Sequence, residues 1–205
     1  MAPPFSVFLL YRKLQWKMTK KELRKIYREK RESLTLGAKH AMLAGMQECF
    51  REIPIISKAR VFSYKTITAR NEVDTSVFEE LLSTEYDAAA FCYPAIPSDG
   101  GAMEAYLDNE EITWEEVGFG LTQPASGKMV SPHEIDIVLV PLLAFDCNGQ
   151  RLGYGKGFYD GYLSRCRPDV LSIGLSWFEP EQTLPEIGAH DVPLKYCVTP
   201  QRLYV

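Results

Sequence analysis

VPLLAFDCNGQRLGYGKGFYDGYL, residues 140–163, sets how this chain is read. An apolar run from Ile135 to Ala144 enters a turn, glycines then alternate with Tyr154 and Lys156, and an aromatic and acidic cluster opens a helix. Alternating glycines after a strand let backbone N–H groups turn toward an anion, and a following helix N-terminus adds partial positive charge. Arg151 and Lys156 flank the turn, so the cradle is also formally cationic. Asp160, just beyond it, is placed to hold a divalent cation against bound phosphates. The stretch reads as a nucleotide-phosphate loop with its own metal ligand; the plain alternative is a glycine-rich turn carrying a surface lysine. It is not a Walker A loop, because Lys156 is followed by Gly157 rather than Ser or Thr. Nor is it a dinucleotide fingerprint, because Phe158 stands where the third glycine is required.

On either side of this loop, helical and extended signals alternate. Thr19 and Glu22 form a capping box, with Leu23, Ile26, Tyr27 and Leu34 as an apolar stripe. Met42, Met46, Cys49, Phe50 and Ile53 predict a second helix whose stripe is core. Arg60–Tyr64 predicts a strand, Ser76 with Glu79 the cap of a third helix, and 87–93 a buried strand stopped by Pro94. Residues 94–133 hold much of the Pro and Gly and are expected to form an irregular or hairpin-rich excursion over the active face. A strand at 135–140, a helix at 158–166, a strand at 170–175 and a last strand at 196–199 follow. This order predicts an α/β fold: a mainly parallel sheet flanked by helices, Rossmann-like, in an open three-layer architecture. Ligands gather beyond the carboxyl ends of such strands, where the glycine loop falls.

Composition agrees with a soluble enzyme. The 205 residues suit one domain at 18–205, with 1–17 expected as either a disordered extension or an artefact of an upstream start codon. Phe5–Tyr11 is apolar, but basic residues follow it rather than precede it, the reverse of a signal peptide. A net charge of −4 argues against a dedicated nucleic-acid binder. No apolar run approaches the ~20 residues needed to span a membrane. The five cysteines are odd in number and scattered, which fits reduced thiols in a cytoplasmic protein. His40, His133 and His190 form no metal set. Lys20 and Lys21 occupy a first helical turn, where the dipole disfavours cations. Lys20 shares a face with Arg24, and Arg28 and Arg31 extend it; the plain reading is a solvated surface.

The run Phe145-Asp146, Gly149 and Arg151 through Asp160 closely resembles the signature FD-x-x-G-x-RLG-x-G-x-G-[YF]-YD of the 5-formyltetrahydrofolate cyclo-ligase family. Thr19–Arg31 is similar to that family's K-x-x-L-R helix, and Asn71–Thr75 to its E-V-D-T segment. Phe119-Gly120 with Pro124, Ile173-Gly174-Leu175, Gln182, Leu184-Pro185 and His190-Asp191-Val192-Pro193 continue the resemblance in order. Departures are Gln123 for a common glutamate, Leu142 for a glycine, Phe158 for a tyrosine and Lys195 for an aspartate.

The resemblance implies ATP- and Mg2+-dependent cyclisation of 5-formyltetrahydrofolate to 5,10-methenyltetrahydrofolate, in a cytoplasmic protein acting as a monomer. It implies ATP contacts from Lys20, Arg24, Arg151, Leu152, Gly153, Tyr154, Gly155, Lys156, Gly157, Phe158 and Tyr159. Lys156 and Arg151 take the charge at the γ-phosphoryl group, and Asp160 and Asp191 the metal. Folate falls to Glu72, for the pterin edge, with Tyr154, Gly155, Lys156, Gly157 and Phe158; Trp114 and Phe119 are either ring walls or core. For Glu72, the plain alternative is an acid at a helix start. Two other readings remain: a non-catalytic nucleotide- or folate-binding relative, and a kinase for another small molecule.

Overall fold

The run after Ile135 becomes the middle of a sheet because it is apolar on both faces. In the computed structural model, which describes residues 18–118 and 120–205, the chain opens with α1 (Lys20–Glu32) and α2 (Leu36–Phe50). Then come β1 (Arg60–Phe62), α3 (Ser76–Glu85) and β2 (Ala90–Ala95), followed by β3 (Glu104–Leu107), β4 (Thr113–Glu116), β5 (Thr122–Ser126) and β6 (Met129–Val130). The last third holds β7 (Ile137–Pro141), β8 (Ala144–Phe145), β9 (Arg151–Leu152), α4 (Phe158–Leu163), β10 (Leu171–Leu175), β11 (Tyr196–Val198) and β12 (Leu203–Tyr204). The expected extension at 1–17 and Phe119 lie outside the described residues. Among the described residues, no helix is long and apolar enough to cross a membrane, and all five cysteines are free.

Eight strands form one mixed sheet in the order β12-β11-β10-β7-β1-β2-β3-β6. The central strands β11, β10, β7, β1 and β2 are parallel, and both edges are antiparallel. The α/β reading holds. Strand alternation explains the layers. Ile137 and Leu139 pack with Met46 and Phe50 of α2 and Phe78 and Leu82 of α3, while Val138 and Val140 pack with Phe62 and with Tyr162 and Leu163 of α4. Each such burial contributes about 1.5–3 kcal/mol. The chain moves from β1 to β2 on one side and later places β7 on β1's other side. The β1/β7 boundary is therefore the topological switch point where a ligand crevice opens.

Helix α1 lies on neither face of this core. The Thr19–Glu22 capping box forms as expected, but Leu23 and Tyr27 pack on Leu143, Ala144 and Leu152 of the β8–β9 hairpin. The next position of the buried stripe is Arg31, 2 % exposed, rather than Leu34. The second helix is as read, with Met46, Cys49 and Phe50 buried and Ile53 just beyond its end.

Local details refine the sequence reading. Thr75, not Ser76, is the N-cap of α3; its buried hydroxyl donates to the Tyr64 carbonyl, and Asp74 Oδ1 accepts from Ser76 N instead. Pro94 lies inside β2 rather than stopping it. Cys92 C=O accepts from Ser63 N on the β1 side, and Pro94, two residues on, faces the same side beyond the last β1 pairing, where no donor is needed. Of the two readings of 94–133 the hairpin-rich one holds: antiparallel β3 and β6 extend the main sheet, and β4–β5 forms a separate hairpin. Finally, α4 ends at Leu163, and β12 at the sheet edge was not foreseen.

Candidate active site

Three segments converge on the crevice: α1, the turn after β1, and the glycine loop between β9 and α4. Together with residues from the ends of β2 and β5 they enclose a cavity of about 570 Å³. Its lining carries six cations (Lys20, Arg24, Lys65, Arg70, Arg151, Lys156) against three carboxylates (Glu72, Asp160, Asp191). A protein of net charge −4 thus presents a positive cleft, which draws anions inward.

The loop geometry explains the glycines. Gly155 has φ +94, and a Cβ there would stand 3.1 Å from the Arg24 guanidinium carbon. Both the turn and the close approach of α1 therefore require glycine. Arg24 Nε donates to Gly153 O at 2.9 Å, so α1 and the loop are joined directly. Gly157, φ +73, is the N-cap of α4. That helix has only six residues, so the positive character of the cleft comes mainly from side chains rather than from a helix dipole.

Lys20 Nζ meets Asp191 Oδ2 at 2.8 Å, joining the first helix to a loop 171 residues later. The same oxygen accepts from Gly188 N at 2.9 Å. Burial pulls the Asp191 carboxyl upward, but the Lys20 and Gly188 hydrogen bonds, with the Lys20 and Arg151 charges, hold it below the usual carboxylate range. Arg151 Nη2 meets Asp160 Oδ1 at 2.7 Å, and its Nη1 donates to Val192 O. Asp160 Oδ1 also accepts from Val192 N at 3.0 Å. Burial pulls the Arg151 pKa down, and Asp160 and Asp191 oppose this. The guanidinium of Arg151 is thus engaged in positioning, whereas Lys156 is exposed and without an ion pair among the described residues.

No group of three or more His, Cys, Asp or Glu among the described residues could hold a metal ion. Asp160 and Asp191 nonetheless suit Mg2+. Each keeps one carboxylate oxygen without a hydrogen bond, and this ion binds through one or two carboxylates plus substrate phosphates.

Glu72 is 7 % exposed. Asn71 before it adopts a left-handed backbone (φ 49), with its carbonyl held by Trp177 Nε1 at 2.9 Å, which turns Glu72 inward. Glu72 Oε2 accepts from Ile67 N at 2.8 Å, and Oε1 accepts from the Tyr154 hydroxyl. It is a cavity-floor carboxylate rather than a helix-start acid. The Tyr154 hydroxyl in turn accepts from Arg31 Nη1 at 3.0 Å, and Arg31 Nη2 donates to Leu142 O. Burial, then the Glu72 charge, pushes the Tyr64, Tyr154 and Tyr159 hydroxyls upward, so all three stay protonated, and that of Tyr154 donates to Glu72.

Every residue expected to bind ATP, folate or metal lines the cavity except Leu152. The Leu152 side chain is fully buried in the α1–hairpin core, and only its backbone belongs to the loop. Trp114 is neither cavity wall nor core: 37 % exposed, it stands edge-on to Tyr93 with ring centroids 5.4 Å apart. Gln123 lines the cavity and clamps Ile96, accepting from its N–H and donating to its carbonyl, a two-way bond that a glutamate could not make. Sequence reasoning gave Arg31 a weak place and did not find Tyr64, Lys65, Arg70 or Tyr93. A buried arginine at the i+4 step after Leu23 and Tyr27 is the one signal that could have singled out Arg31.

A model described as the 5-formyltetrahydrofolate cyclo-ligase family matches residues 16–200. The 5-formyltetrahydrofolate cyclo-ligase of Mus musculus is 28% identical over 141 residues, 63% of this chain and 67% of the mouse protein. That of Mycolicibacterium smegmatis is 38% identical over 88 residues, 41% of this chain and 44% of the relative. The chain thus aligns with about two thirds of the first relative and less than half of the second. The NMR structure of Aquifex aeolicus 5,10-methenyltetrahydrofolate synthetase superposes with a TM-score of 0.73 at 28% identity, covering 91% of this chain and 92% of that one.

Proposed function

Because the chain belongs to the 5-formyltetrahydrofolate cyclo-ligase family, we propose that it converts 5-formyltetrahydrofolate and ATP to 5,10-methenyltetrahydrofolate, ADP and phosphate. One observation carries this reading. A single cavity holds the cationic glycine loop and the buried Glu72, and Tyr154 belongs to both, through its backbone in the loop and its hydroxyl on Glu72. A residue shared in this way ties the position of the nucleotide phosphates to the position of a flat, N–H-bearing ring.

The formyl oxygen attacks the γ-phosphorus of ATP, and the bond to the ADP oxygen breaks. N10 then attacks the activated formyl carbon, the C–O bond breaks, phosphate leaves and the N10 proton is lost. The protein supplies alignment and charge rather than covalent chemistry. Glu72 accepts paired N–H groups of the pterin edge, as a carboxylate can. Lys156, with no carboxylate partner among the described residues, takes the negative charge on the transferring group, and Lys20 and Arg24 hold the neighbouring phosphates. Arg151 fixes Asp160 and the Val192 carbonyl, so the loop and the 188–192 segment keep one spacing. Asp160 and Asp191 would hold Mg2+, which would supply neutralisation of charge on the triphosphate.

The test follows the absorbance of the methenyl product on mixing protein, 5-formyltetrahydrofolate, Mg2+ and ATP. A rise that needs every component is the expected result. No rise from a folded protein that still binds ATP would replace this reading with a binding-only relative or another phosphoryl acceptor.

A further inference from the structure

We propose that Lys65 is a binding subsite for a carboxylate of the glutamyl tail of the folate substrate; this rests on the reading of the preceding subsection. Of the six cations lining the cavity, Lys20 and Arg151 are paired with Asp191 and Asp160, Lys156 belongs to the glycine loop, Arg24 donates to that loop from α1, and Arg70 lies over the ring of the loop's Tyr154. Lys65 is different. Part-buried, it has no carboxylate partner among the described residues, and its ammonium lies 3.8 Å from the Tyr93 ring centroid and 5.1 Å from that of Trp114. Ring faces offset part of the cost of removing the charge from water without neutralising it, so its N–H donors stay available to an anion.

The platform is fixed. The Tyr93 hydroxyl donates to Glu79 Oε2 at 3.0 Å, and Glu79 Oε1 accepts from the Ser63 hydroxyl, so that carboxylate is occupied and is not the counter-ion of Lys65. Trp114, partly in solvent, braces Tyr93 edge-on from the β4–β5 hairpin. The ring contacts of Lys65 thus lie with the sheet and hairpin rather than with the phosphate loop. With the nucleotide anions held at the loop and the pterin edge at Glu72, the remaining anions of the substrate are the glutamyl carboxylates. A preorganised, unpaired ammonium suits them.

The experiment compares kcat/KM for 5-formyltetrahydrofolate and for 5-formyltetrahydropteroyl methylamide, which keeps the pterin, N10 and aminobenzoyl ring but lacks the glutamate. In Lys65→Met, the preference for the glutamyl substrate should fall roughly tenfold, and Lys65→Arg should restore most of it. An equal loss on both substrates would mean a structural role, and a larger rise in KM for ATP than for folate would place Lys65 on the nucleotide; either overturns the subsite. Turnover by the unsubstituted protein with an unchanged preference in Lys65→Met removes Lys65 alone. Absence of turnover by the unsubstituted protein removes the cyclo-ligase reading, and the subsite with it.

Discussion

The two ends of the cavity handle charge by different means. At the glycine-loop end, cations face carboxylates: Lys20 on Asp191 and Arg151 on Asp160. At the Glu72 end, the carboxylate is served by a hydroxyl and a backbone N–H, while the cations rest on rings, Arg70 over Tyr154 at 5.0 Å and Lys65 over Tyr93. The Lys20–Asp191 pair keeps partial access to water and is worth little in itself, while Arg151 holds Asp160 in place beside it. The first end is therefore suited to an incoming polyanion whose charge moves during the reaction. A buried carboxylate with directional donors exchanges poorly but fixes the orientation of a flat ring. One end is built for charge in transit, the other for shape.

That contrast makes Lys156 the position of greatest sensitivity, because among the described residues no carboxylate pairs with it. Lys156→Ala should lower kcat by roughly 10²–10³-fold, with the melting temperature almost unmoved since the side chain is exposed. Near-normal turnover would remove the glycine loop from the chemistry. Glu72→Gln probes the other end. It should cost about 10²-fold in kcat/KM for the folate, as an amide presents only one acceptor oxygen. The KM for ATP should change less than twofold. If both substrates weaken together, the two ends are not separable in the way their contacts suggest.

The ends also differ in how far the sequence disclosed them. The glycine loop was legible because its parts are contiguous: a turn needing φ > 0 at Gly155 and Gly157 and charges at Arg151, Lys156 and Asp160 all fall within ten residues. The sheet was legible for a similar reason, since Ile137–Val140 is apolar at every position. What the sequence could not disclose depends on segments meeting in space. Arg31 looked like one more solvated charge on α1, yet α1 packs on the β8–β9 hairpin and turns that side chain under the loop. Arg151 looked like a free phosphate ligand, because nothing local showed that Asp160 and Val192 would engage it. Lys65 lies in the turn after β1 and Tyr93 on β2, and neither carries a motif. Leu142, where a glycine was expected, fills space against Gly174, whose own Cβ would stand 2.5 Å from the Leu142 Cδ2 atom.

Arg31 tests whether the Glu72 end depends on its buried support. Arg31→Met deprives the Leu142 carbonyl and the Tyr154 hydroxyl of a donor, which costs about 2 kcal/mol. For a chain of this size that is a fall of roughly 4–8 °C in Tm. The KM for folate should rise about tenfold as Tyr154 loses its fixed orientation. Calorimetry together with folate kinetics checks both, and a stability loss with unchanged folate KM would confine Arg31 to the fold.

The smallest effect is one of pH. Burial, then the Glu72 charge, raises the pKa of the Tyr154 hydroxyl above its unfolded value near 10, against an opposing pull from Arg31. A group with a raised folded pKa contributes stability that is fully present below the unfolded pKa and is lost as pH rises toward the folded one. Phenylalanine at this position has no such dependence. Tyr154→Phe should therefore melt a few degrees below the unsubstituted protein at pH 8, having lost the hydroxyl's bonds to Glu72 and Arg31. The gap should narrow from pH 10 to 11, because only the unsubstituted protein continues to pay for that proton. Tyr64 and Tyr159, raised for the same reasons, titrate in both proteins and cancel in the difference. A gap that stays constant across this range would mean that the hydroxyl is not held neutral by its surroundings. The Glu72 end would then have lost the rigid donor that sets it apart from the glycine-loop end.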